Sequence, residues 1–158
     1  MRLIERWTGA AVVLGVGLAV GAGGALAQSA GAKAARDRHE GFEQMGKAFK
    51  AINVQLQSGK PDLAIVRASA QTVQIQSGKV GSWFPAGSGP QPGVKTHAKP
   101  QIWSDPAGFR AALKPLAPAA AKLSAAAKGG DVNAIRAAFK ETGAACGGCH
   151  DKFREKKS

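Results

Sequence analysis

Apolar residues recur at three- and four-residue steps in four stretches of the chain, the period of helices packed on one side. Over residues 32–57, Phe42, Met45, Phe49, Ile52 and Leu56 form one stripe. Ser58-Gly59-Lys60-Pro61-Asp62 interrupts it, with glycine suited to ending a helix and proline to starting the next. A second helix is predicted over residues 61–76, with Leu63, Val66, Ala70 and Val73 on its inner face. A third starts near Ser104-Asp105-Pro106, a capping side chain followed by proline in the first turn. It carries Phe109, Leu113, Leu116 and Leu123 and reaches residue 128. Pro115 and Pro118 fall inside it; each removes a backbone donor and crowds the preceding turn, so a kink or break is predicted there. Gly129-Gly130-Asp131 stops that helix and caps a fourth over residues 132–156, with Val132, Ile135, Phe139 and Thr142 inward. The fold class expected is all-α.

The second and third helices are joined by a predicted loop over residues 77–100, holding Gly78, Gly81, Pro85, Gly87, Gly89, Pro90, Pro92 and Gly93. A loop of this length in a compact domain packs over something. Trp83 and Phe84 are its expected anchors, Trp83 as a plug between helices.

The N-terminus reads as an export signal. Arg2 and Arg6 precede an apolar run over residues 10–20, and Ala25-Leu26-Ala27 puts small residues where a signal peptidase cuts. Residues 1–27 are expected to be removed, leaving 28–158 as one domain. An uncleaved membrane anchor is the alternative, and the glycine content and cleavage-like end argue against it.

The 158 residues include 44% hydrophobic positions, too many for a disordered chain. The net charge is +12. Such charge can mark nucleic-acid binding, but export and the scatter of basic residues argue against that partner. An acidic redox partner is the functional alternative. Outside the run Lys152-Phe153-Arg154-Glu155-Lys156-Lys157, the charges read as solvated helical faces.

Both cysteines lie in Cys146-Gly147-Gly148-Cys149-His150. C-x-x-C-H is the attachment pattern of c-type haem. Two thiols three residues apart can each add to one vinyl group of the same haem edge, and the next histidine is left beneath the iron as an axial ligand. Cys146, Cys149, His150 and Phe153 stand at helical steps that continue the inner stripe, so the haem is expected inside the bundle. Two other readings compete. A thiol-disulfide oxidoreductase would place the pair after a strand at the start of a helix. A structural zinc site needs four ligands, and only His39 and His97 remain, far away in sequence. No acid–base or substrate-binding constellation is visible, so a binding and electron-transfer protein is expected, not an enzyme.

An exported all-helical chain of this size with its haem motif near the C-terminus resembles the class II c-type cytochromes, cytochrome c′ and cytochrome c-556. The resemblance rests on residues 38–45, Lys99-Pro100-Gln101-Ile102-Trp103-Ser104-Asp105, residues 122–127 and residues 136–154. It implies an up-down-up-down four-helix bundle, often a homodimer, in the periplasm of a Gram-negative bacterium, with one covalently bound haem c per chain. By that resemblance Cys146 and Cys149 carry the thioether bonds and His150 holds the iron. Arg154 matches a basic residue beside the proximal haem face. Arg38 matches an arginine that meets a haem propionate, its other reading being a solvated surface charge. Lys99 matches a position near the propionates, and His39 and Gln101 complete the candidate haem contacts.

The resemblance places Phe42 opposite the histidine. A phenyl ring has no lone pair for iron, which implies a five-coordinate, high-spin iron behind a crowded apolar face. Small diatomic gases, nitric oxide or carbon monoxide, would enter by displacing the ring. Met45, one turn further on, is the alternative sixth ligand and would make a six-coordinate, low-spin electron carrier; its other reading is core filler. His97 is a remote third candidate.

Overall fold

The computed structural model describes residues 21–156, with side chains from residue 30 onward. The expected export segment therefore lies outside the described residues except for the backbone of its last seven positions, which is helical. The elements are α1 (Gly21–Gln57), α2 (Leu63–Lys79), a 3-10 turn (Val80–Trp83), α3 (Gln101–Ser104), α4 (Pro106–Leu113), α5 (Leu116–Gly129) and α6 (Val132–Phe153). Among the described residues the only strand-like pairings are isolated bridges, Gln91 with Val94 and Ala98 with Arg154.

Contacts between the long helices set their directions. Gln55 Oε1 accepts from the Asp62 N–H at 2.8 Å, while Gln76 Nε2 donates to Gln44 Oε1 at 2.7 Å, so α1 and α2 run antiparallel. Arg67 Nε donates to the Ala127 carbonyl, joining the start of α2 to the end of α5. Lys122 pairs with Glu141 between α5 and α6 at 2.7 Å. The start of α6 meets the end of α1: Arg136 donates to the Leu56 carbonyl, and Phe139 stacks on Phe49 with centroids 4.0 Å apart. Antiparallel neighbours close the ring, giving an up-down-up-down four-helix bundle. Ile52, Val66, Val73, Leu123 and Ile135 fill its middle, fully buried. Each contributes about 1.5–3 kcal/mol of apolar burial.

Helix starts follow side-chain chemistry. Asp62 accepts from the N–H groups of Ala64 and Ile65, Asp105 from Gly108 and Asp131 from Asn133, each occupying a donor that has no partner within its helix. The end of α5 depends on backbone freedom. Gly130 has φ 82° and donates to the Ala126 carbonyl at 3.0 Å, a left-handed cap that a side chain resists. We expect Gly130→Ala to lower stability by about 1 kcal/mol, read as a shift of the denaturant midpoint at constant slope.

Four sequence expectations change. Helix α1 is already helical at Gly21, before residue 32. Helix α2 starts at Leu63 and continues to Lys79, past residue 76: Ser77 and Val80 are buried, and that burial outweighs the loop signal of Gly78. The expected third helix is two pieces, α4 and α5. The chain turns at Lys114-Pro115, as the proline argument requires, while Asp105 caps α4 as expected and the short α3 precedes it. Pro118 causes no break, because it sits in the first turn of α5, where its missing N–H has no helical acceptor to lose. Helix α6 ends at Phe153 and not at residue 156, because Arg154 turns extended and pairs with Ala98, while Glu155 N–H donates to the His97 carbonyl.

Candidate haem-attachment site

The last turns of α6 bring Thr142, Cys146, Cys149, His150 and Phe153 to the bundle interior. Thr142 and Phe153 are buried; the two thiols and the imidazole are half-buried. Cys146 and Cys149 are free thiols one turn apart. With His150 they line a cavity of about 30 Å³ whose other walls come from Phe42, Met45, Val80, Phe84, Phe109, Leu113, Leu116 and Ala145. The lining is thus apolar apart from the sulfurs and the imidazole.

Burial sets the chemistry of these groups. It pushes the Cys146 thiol up, and it pushes up Cys149, which the neighbouring Cys146 raises further. The His150 imidazole is held below its usual range, mainly by burial and then by the Arg154 charge, with Asp151 opposing. A neutral imidazole is the form that donates a lone pair to a metal.

Helix α1 supplies the facing wall. The Phe42 ring lies 6.4 Å from the His150 ring, inclined at 66°. Two rings meet Phe42 edge-on, Trp83 with centroids 5.0 Å apart and Phe84 with centroids 6.3 Å apart. Phe84 in turn packs edge-on against Phe109, and Phe109 against Phe153. Trp83 is half-buried against α1, close to its expected role as a plug. Met45 also lines the cavity, its sulfur 3.6 Å from Ser77 Oγ, whose hydrogen goes to the Val73 carbonyl at 2.6 Å.

Arg38 is not a surface charge. It is 3% exposed, and its Nη atoms donate to the Trp83 carbonyl, Ser88 Oγ, the Ser88 carbonyl and Thr96 Oγ1 at 2.8–3.1 Å. Its guanidinium lies 4.7 Å from the Phe84 centroid and 5.8 Å from that of Trp103. It thus ties the segment after α2 to α1. The remaining predicted residues are spread around this end of the bundle. Lys99 is half-buried at the entry to α3 and its N–H donates to the Phe153 carbonyl. Arg154 is half-buried just past α6, its N–H on the His150 carbonyl. His39, His97 and Gln101 are exposed and none lines the cavity.

Sequence reasoning missed Val80, Leu113 and Leu116 as walls and Ser88 and Thr96 as partners of Arg38. The three apolar residues are visible as hydrophobic positions, but nothing local marks which face them to the site. For Ser88 and Thr96 no signal exists, since one hydroxyl among many meets Arg38 only after the loop folds back.

The arrangement fits a covalently bound haem: two thiols on adjacent turns, an imidazole next to them, and an apolar wall opposite. It suits thiol-disulfide chemistry poorly. Reactive pairs have lowered thiol pKa values and sit at helix N-termini, whereas these are raised by burial and stand near a helix C-terminus. Among the described residues no three His, Cys, Asp or Glu side chains converge as a metal site would need, so the zinc reading has no support.

Residues 33–154 match the family model described as Cytochrome C′. The chain belongs to the cytochrome c′ family. A cytochrome c′ of Rubrivivax gelatinosus is 57% identical over 70 residues, a stretch covering 44% of this chain and 54% of that relative. One from Rhodopseudomonas palustris is 36% identical over 148 residues, 93% of this chain and 92% of the relative. The crystal structure of cytochrome c′ from Thermochromatium tepidum superposes with a TM-score of 0.76 at 30% identity, over 80% of this chain and 97% of that one. Cytochromes c′ bind haem c covalently, and Cys146 and Cys149 are the two cysteines present here for the attachment. The fold places the Cys146–His150 motif on its last helix.

Proposed function

We propose that this cytochrome c′ is an exported periplasmic protein that carries electrons and binds diatomic gases at a five-coordinate iron. Bound haem c would supply an iron that exchanges one electron and takes small ligands. Cys146 and Cys149 would fix that group to α6, and His150 would provide a nitrogen ligand to its iron. Phe42 closes the opposite side: its ring gives iron no lone pair, keeps water out and leaves room only for ligands small enough to push past it. The observation that carries this reading is the Phe42 ring facing His150 across the cavity that both thiols line. Met45 is buried and packs in the bundle core with Ile52 and Val73, which supports its reading as core filler.

Several features support the finer points. The four Nη hydrogens of Arg38 are engaged, which leaves Nε–H for a haem propionate. Lys99, Arg154, His39 and Gln101 stand around the same end of the bundle as secondary haem contacts. The charge of +12 favours an acidic redox partner. Exposed Val54 on α1 and Ile65 and Ile75 on α2 favour pairing of two copies. Among solved relatives, a cytochrome c prime variant of Alcaligenes xylosoxidans was captured as a nitric oxide complex, and another cytochrome c′ shows ligand-controlled dimer dissociation. Periplasmic location rests on the three-part layout of residues 1–27. Among the described residues no helix is long and apolar enough to cross a membrane.

The test is the absorption spectrum of the reduced, haem-loaded protein with Phe42 intact and with Phe42→Met. The parent is expected to show one broad, merged visible band, and the variant sharp α and β bands of a six-coordinate low-spin iron. Sharp bands in the parent would sink the five-coordinate reading. A variant spectrum indistinguishable from the parent would mean that Phe42 does not face the iron.

A further inference from the structure

Phe42 is a flexible side chain on a helix, yet the proposed gas site needs it to resist displacement. Two other rings pack on it from the segment after α2. Trp83, the last residue of the 3-10 turn, meets it edge-on at 5.0 Å and 78°; Phe84 stands at 6.3 Å. Trp83 can come this close because residue 41 is glycine. A Cβ at Gly41 would overlap the six-membered ring of the indole, so the absence of a side chain cuts a notch in α1 that the indole fills. Gly41 is buried as a result.

Trp83 is also held from behind. Its carbonyl accepts from Arg38 Nη1 at 3.1 Å, and Arg38 lies one turn of α1 from Phe42. The same guanidinium covers the Phe84 face. The helix that carries Phe42 thereby carries the notch and the tether that fix its neighbour. Phe84 is less suited to control Phe42, since it is farther away and is engaged with Phe109 at 4.8 Å.

We infer that Trp83, seated in the Gly41 notch, is the positioning residue that holds the Phe42 ring over the gas-binding face and so sets how fast a diatomic ligand enters. The inference rests on the proposed placement of Phe42 opposite His150. A ligand must push the phenyl ring aside, and the indole edge occupies space into which the ring would swing. Trp83 therefore acts on the barrier to entry. It is not a wall of the cavity that the cysteines and His150 line, so departure of a bound ligand depends on it much less.

The experiment measures carbon monoxide association and dissociation separately in the reduced, haem-loaded protein. Trp83→Leu is expected to raise the association rate about tenfold while dissociation changes by less than about threefold. Trp83→Phe restores most of the slow association, because a smaller ring still fills part of the notch. Phe42→Ala raises association by itself, and adding Trp83→Leu to it produces no further increase, since the two act through one gate. In crystals of Trp83→Leu the Phe42 ring is expected to occupy a second rotamer. Unchanged association in Trp83→Leu, or full additivity with Phe42→Ala, would overturn the inference. Failure of Phe42→Ala to change association would instead overturn the placement of Phe42, so the two failures are distinguishable. If Trp83→Leu does not fold, the comparison of Trp83→Phe with the parent decides the matter: an intermediate rate is expected, and a parental rate overturns the proposal.

Discussion

Arg38→Met lowers the stability of the haem-loaded protein by about 3 kcal/mol, measured as the shift of its denaturant midpoint at constant slope. Four hydrogen bonds leave with the guanidinium, and the carbonyls of Trp83 and Ser88 lose a charged donor. Hydrogen bonds to charged groups contribute about 1.5–3 kcal/mol each, and a buried acceptor left without a donor costs about 1–3 kcal/mol. Opposing this, the four protein acceptors around the buried Arg38 are all neutral, and burial pulls its pKa below the usual arginine range. Methionine removes that desolvation cost, so the net loss is well under the sum of the bonds. The aromatic faces of Phe84 and Trp103 already offset part of it, by about 0.5–2 kcal/mol. Arg38→Lys keeps the charge but not the planar fork that reaches acceptors on Trp83, Ser88 and Thr96 together, and is expected to recover less than half of the loss. A midpoint unchanged in Arg38→Met would show that water satisfies these acceptors and that the arginine does not hold the loop.

The Cys146→Ser, Cys149→Ser double variant has the largest functional effect. Serine preserves the size of each side chain nearly unchanged, but a hydroxyl does not add to a haem vinyl group. The expected result is a chain that still gives a helical circular dichroism spectrum but shows no haem staining after denaturing electrophoresis. Each single variant retains staining through one remaining bond, and His150→Ala retains it through both. Covalent haem in the double variant would exclude these cysteines as the attachment points. The helical signal persists because the bundle's centre is formed by Ile52, Val66, Leu123 and Ile135, with Cys146 packed only against its edge and nearly matched in size by serine.

Particular elements show where local pattern sufficed. The stripe from Phe42 to Leu56 and the cap at Asp105 mark α1 and the start of α4, because helical period and capping are properties of neighbours in the chain. The run from Cys146 to His150 states its own chemistry through spacing alone, and the family match of residues 33–154 agrees with it. The end of α2 was misread because Gly78 signals a loop, while the burial of Ser77 and Val80 keeps the helix going to Lys79. Pro115 and Pro118 carry the same local signal, yet only the first falls at a break. Which proline begins a helix depends on where the chain must turn to bring α5 against α2.

Arg38 marks the boundary most sharply. From sequence it is equally a surface charge or a partner for an anionic group; folded, it is an internal tie between α1 and the segment that follows α2. Its partners Ser88 and Thr96 lie 50 and 58 residues away, a distance over which no periodicity speaks. The amino-acid order by itself determined the helical stretches, though not all their ends, and the haem-attachment chemistry, both of which depend on residues within a few turns of one another. The tertiary structure alone decided which rings surround Phe42, that Gly41 makes room for Trp83, and that Arg38 is buried against carbonyls and hydroxyls of a distant segment. Those outcomes depend on how separate segments share space, which is settled only when the whole core packs at once.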